Sequence, residues 1–527
     1  MIANRRAFLT TAAGGALALT ACGTSQAAAA TPPPTTPLPP LPPAALEIMG
    51  RPRYAISRWF VHVADRATGE VLAGLNAADL VLAASTTKLW STGTALDAFG
   101  PDFRFLTPVH RRGPVADGTL HGDLVLVASG DLTMGGRDTA AGTIAFTGLD
   151  HAEANSLPGA TLTVENPLAG LDDLAAQVAA SGIKAVDGDV LIDARLFDQT
   201  PKDDYVLSPI MINDNLIDLT VTPGAAGAAA TVTSRPVTAA YTIRATVATV
   251  AAGQPPTLTV TTPEPGVVAI SGEVPAGAPL LRTAQVADPQ SFARTLLIEA
   301  LGRAGVTVTA PPTGPNRADA LPAPGSYTDA DRVALHRSLP FSENIKLINK
   351  VSMNLQADTL IMLLAAKAGK RTLPDGMAIV QQFVRKAGID PATMSLSDGR
   401  GNEYTDLFTP ATVGALLRYM STRPDFPTYL ASMPRYGVDG TETTVVPPDA
   451  PVAGKVAAKS GTTVAEDVMN QRALVMTRGN AGYMTARSGR EAVVAVYVMH
   501  TPIAVIDDVL AIAAEVAGVV TALWERW

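Results

Sequence analysis

The stretch Ser85-Thr86-Thr87-Lys88-Leu89 begins an apolar pattern that predicts a helix ending at Gly100-Pro101. Residues three apart on a helix share a face, so we expect the Ser85 hydroxyl and the Lys88 amine to lie side by side. A serine hydroxyl becomes a nucleophile when a base takes its proton, and a lysine whose charged form is disfavoured by burial can be that base. The stretch therefore predicts a nucleophile and its base at the start of one helix, where backbone N–H groups also favour a developing oxyanion.

A second fragment, Ser352-Met353-Asn354, lies between two predicted helical runs, 344–350 and 355–364. A loop at such a junction can direct a hydroxyl and an amide into a cleft. We interpret Ser352 as a hydroxyl that relays a proton between Lys88 and a leaving amine, and Asn354 as an amide that holds the acyl-side carbonyl of a substrate. The alternative is that these residues only cap a helix.

A third fragment, Lys459-Ser460-Gly461-Thr462, follows a stretch rich in Pro and Gly and predicts the beginning of a strand. Lys459 and the hydroxyls of Ser460 and Thr462 would suit a substrate carboxylate. Gly461 would allow a substrate backbone to approach closely, and the Thr462 N–H could complete an oxyanion hole with that of Ser85. The alternative is an exposed turn before a strand.

Two other segments have the same residue types at similar spacing. Ser181-Gly182-Ile183-Lys184 repeats the Ser-x-x-Lys pattern, but it lies at a predicted helix exit, where the amine has no helical face on which to align. Ser342-Glu343-Asn344 repeats the Ser-x-Asn pattern, but only Ser352-Met353-Asn354 lies between the two predicted helical runs, where a loop can direct both side chains into a cleft. We therefore favour Ser85 and Ser352 as the functional serines.

Composition and charge exclude several classes of function. The formal charge of −8 is spread along the 527 residues without a basic run, so we expect no nucleic-acid partner. The six histidines are scattered without the short spacing of a metal site, and we predict no metal. No Gly-x-Ser-x-Gly elbow or phosphate-cradling loop occurs, and we predict no cofactor.

Residues 1–21 have the features of an export signal, with Arg5 and Arg6 before an apolar stretch of about 15 residues, short of the ~20 needed to span a bilayer. Leu19-Thr20-Ala21-Cys22 resembles a bacterial lipobox, and the Arg pair resembles a twin-arginine signal. We expect lipidation at Cys22 and anchoring at the outer face of the cytoplasmic membrane. The alternatives are a chance Arg pair and a buried structural thiol. Residues 22–45 are rich in Ala and Pro and predict a stiff linker.

The length of the chain predicts two or three domains, and its pattern predicts an α/β protein. Residues 106–330 contain many short β-like runs separated by turn pairs, and we interpret them as an inserted β-rich unit of two subdomains. Residues 46–105 and 331–527 then form one discontinuous domain. Its expected elements include a central strand at 493–498 and a final amphipathic helix that packs on a sheet rather than entering a membrane.

The three fragments resemble those of the D-alanyl-D-alanine carboxypeptidase/endopeptidase family, the class C low-molecular-mass penicillin-binding proteins. The long gap between Ser85 and Ser352 matches the large insert of that family. Further collinear signatures are Val186-Asp187-Gly188-Asp189-Val190, Asn213-Asp214-Asn215-Leu216, Asn349-Lys350-Val351-Ser352-Met353-Asn354-Leu355, Gly437-Val438-Asp439-Gly440-Thr441 and Gly482-Tyr483.

The resemblance implies a serine transpeptidase/β-lactamase-like domain, an antiparallel sheet covered by helices, interrupted by the β-rich insert. It implies that a peptidoglycan peptide ending in D-Ala-D-Ala acylates Ser85, that D-alanine leaves, and that β-lactams are trapped as covalent inhibitors. The alternatives are a related serine esterase or amidase, and an envelope scaffold that binds peptidoglycan without turnover.

Three features depart from the family pattern. Met353 stands where such proteins usually carry Asp. Asp398-Gly399-Arg400-Gly401 replaces the usual Asp-Gly-Ser-Gly, which predicts an altered loop near the pocket. The stretch 463–482 is longer than usual and places extra chain beside the catalytic strand.

Overall fold

The structure is a computed structural model that describes residues 39–527. The predicted export signal, Cys22 and the beginning of the Pro-rich linker lie outside the described residues.

The described α-helices are, in chain order, α1 (Pro43–Met49), α2 (Lys88–Phe99), α3 (Ala169–Ala180), α4 (Pro289–Arg303), α5 (Phe341–Lys350), α6 (Asn354–Lys367), α7 (Leu373–Lys386), α8 (Pro410–Ser421), α9 (Phe426–Ala431) and α10 (Asp508–Arg526).

The described strands are β1 (Arg58–Asp65), β2 (Val71–Leu75), β3 (Val81–Leu82), β4 (Leu106–Arg112), β5 (Val115–Ala116), β6 (Thr119–Leu120), β7 (Asp123–Val127), β8 (Ala185–Val186), β9 (Val190–Asp193), β10 (Thr200–Pro201), β11 (Val206–Leu207), β12 (Leu216–Thr222), β13 (Thr231–Arg235), β14 (Thr242–Val250), β15 (Thr259–Glu264), β16 (Val267–Pro275), β17 (Leu280–Gln285), β18 (Thr307–Val308), β19 (Arg332–Arg337), β20 (Met394–Ser395), β21 (Leu407–Phe408), β22 (Val456–Asp467), β23 (Arg472–Thr485) and β24 (Glu491–Ile503).

An antiparallel sheet in the order β2-β1-β24-β23-β22 forms the frame of the molecule. The β24 strand is central, as its apolar run predicts, and its residues Ala492–Val498 are buried. The β22 strand is at one edge and carries Lys459, Ser460 and Gly461 within its first half. The third sequence fragment therefore lies on a strand at the edge of the sheet.

Helices cover both faces of this sheet. On one face α10 packs with α1, and Val509, Ile512, Val516 and Leu523 belong to the same hydrophobic core as the sheet residues. On the other face lie α2 and the helices α5 to α9, in a second core centred on Leu89, Leu360 and their neighbours. Apolar area removed from water is the main stabilising contribution here. This architecture confirms the α/β fold class.

The residues between α2 and α5 form a β-rich insert built from several small sheets. One has the order β19-β4-β7-β9, and its strand β19 returns from the end of the insert to pair with β4 at its beginning. Another has the order β13-β12-β17, with β14-β16-β15 beside it. Side chains of these sheets and of α3 and α4 meet in one hydrophobic core. The division of residues 106–330 into two subdomains stays a prediction.

Between residues 39 and 527, none of the helices combines the length and apolar character needed to cross a bilayer.

Candidate active site

Ser85 lies in a short 3-10 turn, Ala84–Thr87, that leads directly into α2. The α-helix thus begins three residues later than the sequence pattern predicts. Ala84 has a positive φ of 44°, an uncommon backbone conformation for a residue with a side chain, which places Ser85 on a sharp bend. The Lys88 Nζ group donates to the Ser85 Oγ at 2.6 Å. The structure therefore brings together the hydroxyl and the amine of the first fragment.

Lys88 is fully buried, and three acceptors surround its Nζ. Besides the Ser85 hydroxyl, they are the Asn354 Oδ1 at 2.7 Å and the Arg400 carbonyl at 3.2 Å. Burial lowers the pKa of Lys88 from 10.5 to about 8, against the opposing charges of Asp398, Glu153 and Asp358. Near neutral pH a usable fraction of Lys88 is therefore unprotonated, as a general base requires.

Ser352 and Asn354 lie at the junction of α5 and α6, as the sequence pattern predicts. Ser352 has a φ of 69°, a left-handed conformation that turns the chain sharply between the two helices. Asn354 is the first residue of α6, and its Oδ1 binds Lys88. Met353 is buried in a small apolar cluster with Leu347 and Val351, so it packs rather than making a polar contact.

Lys459 completes the constellation from β22. Its Nζ donates to the Ser352 Oγ at 2.9 Å and to the Ser460 carbonyl at 2.7 Å. Burial, and then the positive charge of Lys88, holds the pKa of Lys459 well below its usual range. A chain of contacts thus runs from Ser352 to the edge strand, and all three sequence fragments meet at one place.

Ser460 and Thr462 bind partners that the sequence analysis did not single out for a role. The Ser460 and Thr441 hydroxyls lie 3.0 Å apart, and the Arg478 Nη1 donates to the Thr462 Oγ1 at 3.0 Å. Arg478 is the cross-strand partner of Thr462 on β23, and its Nη2 donates to the buried Glu442 carboxylate at 2.9 Å. Arg478 thus adds a cation beside the predicted carboxylate-binding residues. Only the strand register could have revealed it.

Gly461 lies against the turn that holds Ser85. A Cβ atom at this position would come within 2.8 Å of the Ala83 carbonyl oxygen and 3.2 Å of the Ser85 nitrogen. The sequence predicts that a substrate backbone approaches closely at Gly461. The structure shows such an approach by the protein's own backbone, so glycine permits the edge strand to pack against the turn that carries Ser85.

A buried group of charged side chains lies in the insert. Asp150, His151 and Asp214 have ligand atoms within 4.8 Å of one another, which is metal-like spacing. Arg137, however, donates to Asp150 and to Asp214 at 2.6 Å each, and His151 bridges Asp214 and Asp218 at 2.7 Å each. The guanidinium and the imidazolium therefore offset most of the charge of the three carboxylates internally. Gln356 of α6 also donates to Asp214, which joins this cluster to the helix that carries Asn354.

The two competing segments make local contacts at the ends of helices. The Ser181 hydroxyl donates to the Val178 carbonyl at 2.6 Å as α3 ends. Asn344 lies in the first turn of α5 and donates from its side chain to the Leu339 carbonyl at 3.1 Å. Neither segment contributes to the contacts around Lys88.

A serine hydroxyl, a buried lysine amine beside it and an edge strand that carries a second lysine are the groups that serine acyl transfer requires. Comparison with known proteins specifies the class. Residues 46–509 match the model of the D-Ala-D-Ala carboxypeptidase 3 (S13) family. The D-alanyl-D-alanine carboxypeptidase of Actinomadura sp. (strain R39) is 30% identical over 490 residues, which cover 87% of this chain and 81% of that protein. The chain belongs to the S13 family, a family of serine-type carboxypeptidases, and the resemblance stated from the sequence is confirmed.

Two further matches come from Haemophilus influenzae. The D-alanyl-D-alanine carboxypeptidase DacB of that organism is 32% identical over 111 residues, covering 21% of this chain and 23% of that protein. The crystal structure of its penicillin binding protein 4 (dacB) is similar in fold, with a TM-score of 0.66 and 19% identity, covering 91% of this chain and 99% of that chain. A second structure of that protein, complexed with a β-lactam, matches equally well.

Proposed function

We propose that this protein is a penicillin-sensitive D-alanyl-D-alanine carboxypeptidase that acts on peptidoglycan stem peptides through an acyl-enzyme on Ser85. The observation that carries the proposal is the 2.6 Å contact between the Ser85 hydroxyl and the amine of Lys88, a fully buried lysine whose pKa burial lowers to about 8. Membership of the S13 family and the β-lactam complex of the similar Haemophilus influenzae protein support the choice of substrate and inhibitor.

In the acylation step, neutral Lys88 takes the proton of Ser85 while the Ser85 oxygen attacks the carbonyl of the penultimate D-alanine residue. The N–H groups of Ser85 and Thr462 would stabilise the oxyanion, and the Asn354 amide would hold the acyl-side carbonyl. Collapse of the tetrahedral intermediate breaks the peptide bond. Ser352 passes the proton that Lys88 took from Ser85 to the departing amine, which returns Lys88 to its neutral form, and Lys459 holds the Ser352 hydroxyl at 2.9 Å. Water then attacks the ester, releases the shortened peptide and restores the Ser85 hydroxyl.

The terminal carboxylate of the substrate has a cationic place to bind. Lys459 and the Ser460 and Thr462 hydroxyls are its proposed ligands, and Arg478 reinforces them from the neighbouring strand. Burial disfavours the charged form of Lys459. The negative charge of a bound carboxylate would stabilise that form. Peptides that end in a free carboxylate are thus favoured over internal peptide bonds.

Labelling with a fluorescent penicillin tests the nucleophile. We expect the wild type to be labelled covalently and Ser85→Ala to remain unlabelled, whereas Ser342→Ala and Ser181→Ala serve as matched controls and retain the label. Labelling of Ser85→Ala would place the nucleophile elsewhere, and an unlabelled wild type would favour the scaffold alternative.

Peptide assays then separate the remaining alternatives. Release of free D-alanine from a diacetylated tripeptide ending in D-Ala-D-Ala is expected of a carboxypeptidase, and cleavage of an ester but not of this peptide would indicate an esterase. Cross-linked muropeptides offered to the same preparation measure any endopeptidase activity.

We also propose that the protein is exported and anchored by a lipid at Cys22, which would place it in the cell envelope beside its substrate. The support is the Leu19-Thr20-Ala21-Cys22 motif behind a basic and apolar leader. Radioactive fatty acid should label the wild type in cells and not Cys22→Ser. Uptake of lipid by Cys22→Ser would contradict the anchor without affecting the proposed catalysis.

A further inference from the structure

The loop Asp398–Gly401 packs directly against the catalytic residues. A Cβ atom at Gly399 would come within 2.5 Å of the Ala357 carbonyl of α6, and one at Gly401 would overlap the Ala84 carbonyl at 1.8 Å. Asp398 holds the loop from within, because its Oδ1 accepts from the Arg400 and Gly401 N–H groups at 2.9 and 2.5 Å. The loop thus lies between α6 and the turn that carries Ser85.

The backbone and the side chain of Arg400 contact different parts of the protein. Its carbonyl accepts a hydrogen bond from the Lys88 Nζ at 3.2 Å. Its side chain is only 1% exposed. Burying a charged group without a partner is costly, so the guanidinium requires carboxylates beside it. Carboxylates surround it: Asp204 at 2.6 Å, Asp398 at 3.3 Å and Asp358 at 3.6 Å.

The same guanidinium joins the insert to the catalytic domain. It lies 4.9 Å from the centre of the Tyr205 ring, and Asp204 and Tyr205 both belong to the insert. The Tyr205 hydroxyl donates to Asp358 of α6 at 2.9 Å, beside Lys202 at 3.8 Å. A planar guanidinium can satisfy several carboxylates and a ring face at once, which a lysine ammonium cannot do.

We propose that Arg400 is a positioning residue for Lys88: its side chain, fixed between the insert and α6, holds the backbone carbonyl that binds the lysine, and its charge balances the carboxylates behind that lysine. This proposal rests on the proposed role of Lys88 as the base. It assigns a function to the residue that departs from the usual Asp-Gly-Ser-Gly.

The charges that face Lys88 come from four parts of the chain. They are Asp358 on α6, Asp398 and Arg400 on the loop, Glu153 in the insert and Lys459 on β22. The carboxylates favour the protonated lysine, whereas Arg400 and Lys459 oppose protonation. Removing the Arg400 charge therefore leaves the carboxylates unbalanced and makes Lys88 harder to deprotonate.

The test is the pH dependence of the acylation rate by a penicillin, measured on the full chain with Arg400→Gln, Arg400→Ser and Arg400→Lys. In the wild type, the rate should rise with pH through about 8, as Lys88 loses its proton. In the Gln and Ser variants, we expect this rise to move upward by about half a pH unit or more. The Lys variant keeps the charge, so its rise should stay in place while its plateau rate falls about tenfold, because the shorter cation cannot span Asp204 and Asp358 together.

Each result decides the proposal. An unchanged midpoint in folded Gln and Ser variants, with only a lower melting temperature, would show a purely structural role and overturn it. If neither neutral variant folds, the Lys variant decides alone, and a wild-type plateau overturns the proposal. A wild type that is not acylated at Ser85 refutes the proposed function instead, so the two failures are distinguishable.

Discussion

Gly461→Ala is expected to slow acylation by displacing the nucleophile rather than by blocking the substrate. The added methyl group would lie 2.8 Å from the Ala83 carbonyl oxygen, where ordinary contact begins at 3.4 Å, and 3.2 Å from the Ser85 nitrogen. The contacted atoms belong to backbone that cannot rotate away, so the edge strand and the nucleophile turn must separate by about 0.6 Å. Overpacking of this kind costs about 1–3 kcal/mol of the free energy of unfolding.

The same displacement acts on catalysis. A misplacement of about 1 Å can cost on the order of 100-fold in rate, so about 10- to 100-fold slower acylation is expected for this smaller shift. The assay is the rate of labelling by a fluorescent penicillin, together with urea denaturation of the free protein. Gly302→Ala is the matched control, because a Cβ atom there meets nothing within 4 Å and the residue lies inside α4. An acylation rate within about twofold of the wild type would refute the reasoning, and unchanged stability with only weaker peptide binding would return Gly461 to its role as a place of substrate approach.

Three further predictions concern stability, measured by urea denaturation. The pKa of His151 is raised from 6.5 to about 10 in the folded protein by its carboxylate partners, which outweigh burial. Its contribution is therefore complete below pH 6.5 and is lost as the pH rises toward 10, so His151→Gln should destabilise the protein more at about pH 6 than at about pH 9; an equal loss at both would contradict this. Arg478→Met leaves Glu442 buried without its cation and should cost about 3 kcal/mol, with partial recovery on adding Glu442→Gln; no recovery would argue against the pair. Leu360→Ala in the core should cost about 2–5 kcal/mol, whereas Leu510→Ala, 53% exposed, should cost less than about 0.5 kcal/mol.

Elements with strong local patterns could be predicted from the sequence. The helix that follows Ser85, the junction at Ser352 and the strand that carries Lys459 all depend on residues within a few positions of one another. Periodicity, turn residues and flanking Gly or Pro determine such elements locally. The sequence predicts that α2 begins at Ser85, whereas the helix begins at Lys88 after a 3-10 turn. The two kinds of turn have nearly the same side-chain spacing, so the sequence pattern does not distinguish them.

Contacts across the fold could not be predicted in this way. Arg478 faces Thr462 because β22 and β23 pair in one particular register, and no single segment encodes that register. The contacts of Arg400 could not be predicted from the sequence for the same reason. Its sequence position indicates an altered loop, but its contact with Asp204 requires a segment nearly 200 positions earlier in the chain to return to this loop, which the pattern of neither segment determines.

The proton affinity of Lys88 is the property on which the proposed chemistry depends, and it belongs to the assembled fold. Burial alone would depress the pKa further, and the carboxylates of Asp358, Asp398 and Glu153 bring it back to about 8. Those groups reach the lysine from α6, from the loop before α8 and from the insert. A Ser-x-x-Lys fragment supplies the hydroxyl and the amine at the right spacing, but the same spacing at Ser181 supplies no burial, because Ser181 and Lys184 are both exposed. On the proposed mechanism the insert does more than enlarge the protein: through Glu153, and through the Asp204 contact with Arg400, it contributes to the charge balance around the proposed base.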